Sequence, residues 1–138
     1  MKKTALILTL LSIFAFSNSF SQSGNNGSTG SLSSGNEATV VWDKKTHEFG
    51  TLKQGEPQTA IFKMTNKGGK PIIITNAEGS CGCTNIEYPK QPIKPGETIS
   101  IKAIYDAEEL GEFNKTVTLT MNIEESKQIL YIKGQVKQ

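Results

Sequence analysis

Cys81 and Cys83 are separated by one glycine and are the only thiols in a chain of 138 residues that holds a single histidine, His47. Joined, the two sulfurs form a small disulfide loop; apart, they are a dithiol that exchanges with other disulfides, or a pair of thiolates suited to a soft metal ion. One imidazole and two thiols leave few groups for proton transfer and nucleophilic attack, so enzymatic activity is not expected. All 15 basic residues are lysines. Without arginine, bidentate recognition of phosphates or guanine edges has no residue to carry it, and nucleic acid is not an expected partner. No cofactor is expected either.

Along an extended strand, residues two apart place their Cα atoms about 6.6 Å from each other, close to the upper limit for a disulfide. A turn at Gly82 would shorten that distance, because glycine adopts backbone angles that other residues avoid. Closing so small a loop yields only about 1.6 kcal/mol in the loop-entropy account, so any value of a bridge is local. Four readings stand side by side: a structural bridge or buried thiol pair, a redox pair, a metal site, and a mixed disulfide with a partner. The spacing is not Cys-x-x-Cys, and no helix N-terminus follows to lower a thiol pKa. A closed zinc site wants four ligands, and nothing in the sequence places His47 near the cysteines. No metal ligand is assigned.

The compartment in which these thiols live is set by the start of the chain. Lys2 and Lys3 precede an apolar stretch from Ala5 to Phe16, broken only by Thr9 and Ser12. That is the pattern of a secretory signal peptide, and it is shorter than the roughly 20 residues needed to span a bilayer. Small residues at Ser19 and Ser21 flank Phe20, so cleavage is expected after Ser21, with residues 1–21 removed. The mature chain would carry no membrane span, and its 13 lysines would balance its 13 carboxylates. Residues 22–37 are dominated by Ser, Gly and Asn and read as a flexible spacer. Export to the periplasm or beyond the cell puts Cys81 and Cys83 under oxidising conditions.

Residues 38–138 must then position the thiols, and they read as strands. Ala60, Phe62 and Met64 alternate with Ile61, Lys63 and Thr65, while Ile99, Ile101, Ala103 and Tyr105 alternate with Ser100 and Lys102. Val117, Leu119 and Met121 alternate with threonines, and Leu130, Ile132, Gly134 and Val136 repeat the pattern. With Ile72–Ile74, one strand over Val40–Phe49 and a short one over Thr84–Tyr88, about seven strands occupy about one hundred residues. An all-β, two-sheet antiparallel sandwich fits that count, with a barrel of five or six strands as the competitor. Residues Ala107–Leu110 leave room for at most one helical turn. Gly68 and Gly69 with Asn66, Gly82, and Gly96 after Pro95 supply turn residues. Phe49-Gly50 reads as a core aromatic and a bulge, and Gly111 and Gly134 as places where backbones approach closely.

Further motifs run in a fixed order. His47-Glu48-Phe49-Gly50 is followed by Phe62-Lys63-Met64-Thr65-Asn66-Lys67-Gly68, Ser80-Cys81-Gly82-Cys83-Thr84 and Pro95-Gly96-Glu97. Gly111-Glu112-Phe113 and Ile132-Lys133-Gly134-Gln135-Val136 close the series. Nearly everything from Trp42 onward resembles the bacterial family known as domain of unknown function 1573. Glu48, where that family more often has Asp, and Met121, where a small residue is common, are the departures. The resemblance implies an immunoglobulin-like sandwich and an exported bacterial protein, with no established activity. The expected function is therefore a non-enzymatic, monomeric module that binds an unidentified protein or envelope polymer. The alternative is a thiol-redox or Cu(I)-binding protein centred on Cys81 and Cys83.

Overall fold

The computed structural model describes residues 37–138. The expected signal peptide, and the spacer up to Asn36, lie outside the described residues. Eight strands form two four-stranded sheets: β1 (Val40–Trp42), β2 (Thr46–Lys53), β3 (Gln58–Asn66), β4 (Ile74–Gly79), β5 (Thr84–Glu87), β6 (Thr98–Tyr105), β7 (Gly111–Met121) and β8 (Lys127–Lys137). One sheet has the order β1-β3-β6-β5 and the other β2-β8-β7-β4. Two separate sheets replace the barrel alternative with a sandwich. Among the described residues no helix is long and apolar enough to cross a membrane.

Period-two patterning places the core where the sequence puts it. Phe62, Met64, Ile101, Ala103, Val117, Leu119, Leu130 and Ile132 are fully buried. Tyr105 stacks on Phe113 at 4.1 Å between ring centres. Removing such side chains from water, at about 25 cal/mol per Å², does most to hold the two layers together.

Two expectations are corrected, and a third is met at its lower bound. The single strand expected over Val40–Phe49 is two, because Asp43 turns the chain: its carboxylate accepts the Lys63 N–H at 2.9 Å and the Lys44 N–H at 2.7 Å. After that bend β1 belongs to one sheet and β2 to the other, which makes eight strands rather than seven. The sandwich is not wholly antiparallel, since β2 runs parallel to β8 from Thr46↔Tyr131 to Lys53↔Lys137. Ala107–Leu110 forms no helical turn; Ala107 is buried at φ 56° and its carbonyl accepts the Gly55 N–H at 3.0 Å.

The glycines divide in the same way. Gly96 has φ +82° and follows Pro95, and Glu97 N–H closes the turn onto Lys94 C=O at 3.0 Å, as expected of a type II turn. Gly50, at φ +72°, sits in the bulge between Glu48 and Thr51. Gly68 has no left-handed backbone; its missing side chain is needed because the backbone of residues 37–39 passes directly against it. Gly82 lies in open space without positive φ, so the turn there does not draw on glycine's conformational freedom.

Candidate functional site

Each sheet has two edge strands, and the order of strands pairs them. β1 leads directly into β2 on one lateral side of the sandwich, and β4 leads into β5 on the other. On each side one connection joins the two edge strands directly, and the sequence-predicted thiols lie in one of these two.

Ser80–Cys83 links β4 to β5, and Cys81 and Cys83 are bonded to each other with their Cα atoms 5.2 Å apart. That is shorter than an extended strand would give and inside the usual range of about 4.4–6.8 Å, so the turn brings the sulfurs together. Both half-cystines are partly exposed. The Thr84 hydroxyl lies 3.9 Å from each sulfur. The loop is also held without its sulfurs: Ser80 N–H donates to Thr116 C=O at 2.9 Å, the Ser80 hydroxyl accepts the Thr116 N–H at 3.1 Å, and Asp106 N–H donates to Cys83 C=O at 3.1 Å.

His47 is elsewhere. It stands on β2, and the order β2-β8-β7-β4 separates it from the β4–β5 corner by three strand spacings, about 14 Å. A site built from His47 and both cysteines is thereby excluded on geometry. The imidazole packs tilted against Phe49 at 4.6 Å and edge-on to Phe62 at 6.3 Å between centres. The Lys44 ammonium donates to its Nδ1 at 2.9 Å, which places the neutral ring's proton on Nε2. Burial first, and the Lys44 charge second, hold its pKa below the ordinary 6.5.

The opposite crossing carries a feature that no sequence motif marks. A groove of about 860 Å³ runs beside β1, walled by Ala38, Val40 and Trp42 on one side and by Ile123, Glu124 and Glu125 of the β7–β8 connection on the other. At its base the buried Gln128 side chain accepts two hydrogen bonds, from Trp42 Nε1 at 3.2 Å and Lys45 Nζ at 3.0 Å. Its own amide donates to Glu125 C=O at 3.2 Å. The signal was present in the sequence as parity: Gln128 occupies the same inward-facing set as Leu130, Ile132 and Val136, where an apolar residue is expected.

The family described as Protein of unknown function (DUF1573) matches residues 40–136. A protein of unknown function from Porphyromonas gingivalis W83 is similar in structure, with a TM-score of 0.64 at 16% identity, covering 78% of this chain and 51% of that one. The chain thus spans about half the length of that protein. The PapD-like domain 7 of human CEP192 aligns with a TM-score of 0.61 at 9% identity, over 72% of this chain and 85% of that one. The YadV chaperone aligns with a TM-score of 0.52 at 13% identity, over 72% and 52%. At such identities the likeness is one of fold, that of the immunoglobulin-like and PapD-like sandwiches. No curated protein matches the chain.

Proposed function

Starting from a chain that belongs to the DUF1573 family of proteins of unknown function and folds as an immunoglobulin-like sandwich, we propose that it is an exported, non-enzymatic interaction module of the bacterial cell envelope. One observation carries the reading. Four of the eight strands are edges, each with one side of its backbone free to pair with an added strand, the binding mode natural to open sheets. The apolar leader from Ala5 to Phe16 supports export. The test is affinity capture from an envelope extract with the full mature chain as bait. Reproducible enrichment of one protein or polymer over a bait with a scrambled surface supports the reading, and no enrichment above that control removes it.

A second reading rests on the bonded pair at the β4–β5 corner. Both half-cystines are partly exposed, so a partner's thiolate can attack one sulfur; a second partner thiol then resolves the mixed disulfide. Two electrons and two protons pass to Cys81 and Cys83, and the partner's dithiol becomes a disulfide. If replacing both cysteines with serine leaves partner capture intact, the thiol-centred reading fails.

A further inference from the structure

Resting on the interaction-module reading, we propose that the docking edge is β1: the groove beside it takes an extended segment of a partner protein, apolar at alternate positions and carrying a lysine or arginine that meets Glu124 and Glu125. The backbone identifies the edge. Glu37 C=O accepts from Gly69 N–H at 3.0 Å, Thr39 C=O accepts from Lys67 N–H at 2.8 Å, and Asp43 N–H donates to Lys63 C=O at 3.1 Å. In an antiparallel ladder successive residues alternate between facing the partner strand and facing away. The odd-numbered residues face β3, so Val40 and Trp42 direct their N–H and C=O groups outward, into the groove.

The other three edges are less suited to accepting a strand. β2 is interrupted by the bulge between Glu48 and Thr51, and β4 shifts register between Ile74 and Asn76, both devices that break an edge's regularity. β5 is followed two residues on by Pro89, which has no N–H to offer an added strand. The ladder of β1 runs without a register shift from Glu37 to Asp43.

The occupant's chemistry follows from the walls. Outward-facing amide and carbonyl groups at Val40 and Trp42 call for another backbone, which an extended polypeptide supplies at the matching strand repeat. Ala38, Val40, Trp42 and Ile123 are partly buried and pack against the core, so the side chains that enter between them must be apolar. At the rim, Glu124 and Glu125 are exposed and form no ion pair among the described residues, which leaves two carboxylates for a cation on the incoming strand.

Trp42 is the only tryptophan of the chain, so its emission reports on the groove directly. The probe is a synthetic peptide that alternates valine and threonine and carries a lysine at each end, titrated into the full mature protein; its backbone N-methylated counterpart is the control. The expected result is a saturable change in Trp42 emission that the N-methylated peptide does not produce. Val40→Pro removes an N–H that faces the groove and none that pairs with β3, and should weaken binding about tenfold. Glu124→Lys with Glu125→Lys should weaken the lysine probe and strengthen one ending in glutamates; both substitutions are on an exposed turn.

Absence of a saturable change, or binding that Val40→Pro and the charge reversal leave alone, overturns the proposal. So does an emission change on deleting residues 22–36 that matches the one the peptide gives, since the chain's own spacer would then fill the groove. Envelope capture that survives both variants places docking on another edge and leaves the module reading standing; loss of capture by the unaltered protein removes that reading itself.

Discussion

The two lateral sides of the sandwich solve the same problem by different means. On each side the chain leaves one sheet and joins the other within a few residues. Between β4 and β5 the crossing is tied by the Cys81–Cys83 bond together with hydrogen bonds from Ser80 and to Cys83. Between β1 and β2 it is tied by the Asp43 carboxylate and by the meeting of Trp42, Lys45 and Gln128, with an open groove alongside. The covalent crossing is a short loop whose half-cystines are partly exposed, whereas the hydrogen-bonded one borders an open groove rimmed by Glu124 and Glu125.

This contrast can be broken by substitution. The largest effect is expected from Trp42→Ala, which empties one wall of the groove and removes a donor to the buried Gln128. A loss of about 3 kcal/mol in urea denaturation is the prediction, and a loss below about 1 kcal/mol would mean that the ring packs too loosely to hold this side. Asp43→Ala follows, at about 2 kcal/mol, because two backbone N–H groups lose a charged acceptor at the bend. Thermal unfolding followed by circular dichroism measures it.

Replacing Cys81 and Cys83 together with serine should cost less, no more than about 1.6 kcal/mol, since the loop is small and its backbone bonds remain. A larger cost would show the bridge to be a main support of the fold and would reverse the comparison. The smallest effect concerns pH. Because burial and Lys44 depress the His47 pKa, the unfolded chain takes up the proton first on acidification. The contribution from His47 is whole above pH 6.5 and is lost as pH falls through its depressed folded value. His47→Gln should flatten that part of the stability profile, as read from denaturation midpoints across the range.

Much of the fold was legible because burial in a sheet has a period of two residues. Ala60, Phe62 and Met64 on β3, and Val117, Leu119 and Met121 on β7, are buried as their alternation with polar residues implies. What stayed hidden depends on partners distant in sequence. The parallel pairing of β2 with β8 leaves no local mark, since either direction of pairing asks for the same alternation. The bend at Asp43 escapes a local reading because its carboxylate finds the Lys63 amide twenty residues away. Gly68 reads as a turn residue from its neighbours Asn66 and Gly69, yet what demands a glycine there is the backbone of residues 37–39.

The site divided along the same line. That Cys81 and Cys83 are near enough to join is a local matter of one intervening residue and a turn, though spacing alone left a bridge, a redox pair and a metal site all open. The groove at β1 needed the meeting of Trp42 and Gln128 across the sandwich, and parity alone marked Gln128 as out of place.

β8 is the last of the described strands, and it lies between β2 and β7, both of which pair with it. Its sheet cannot assemble without Lys127–Lys137, which join β2 to β7. Because β2 and β8 pair across most of the described residues, closing that sheet is a non-local step of the kind that slows folding.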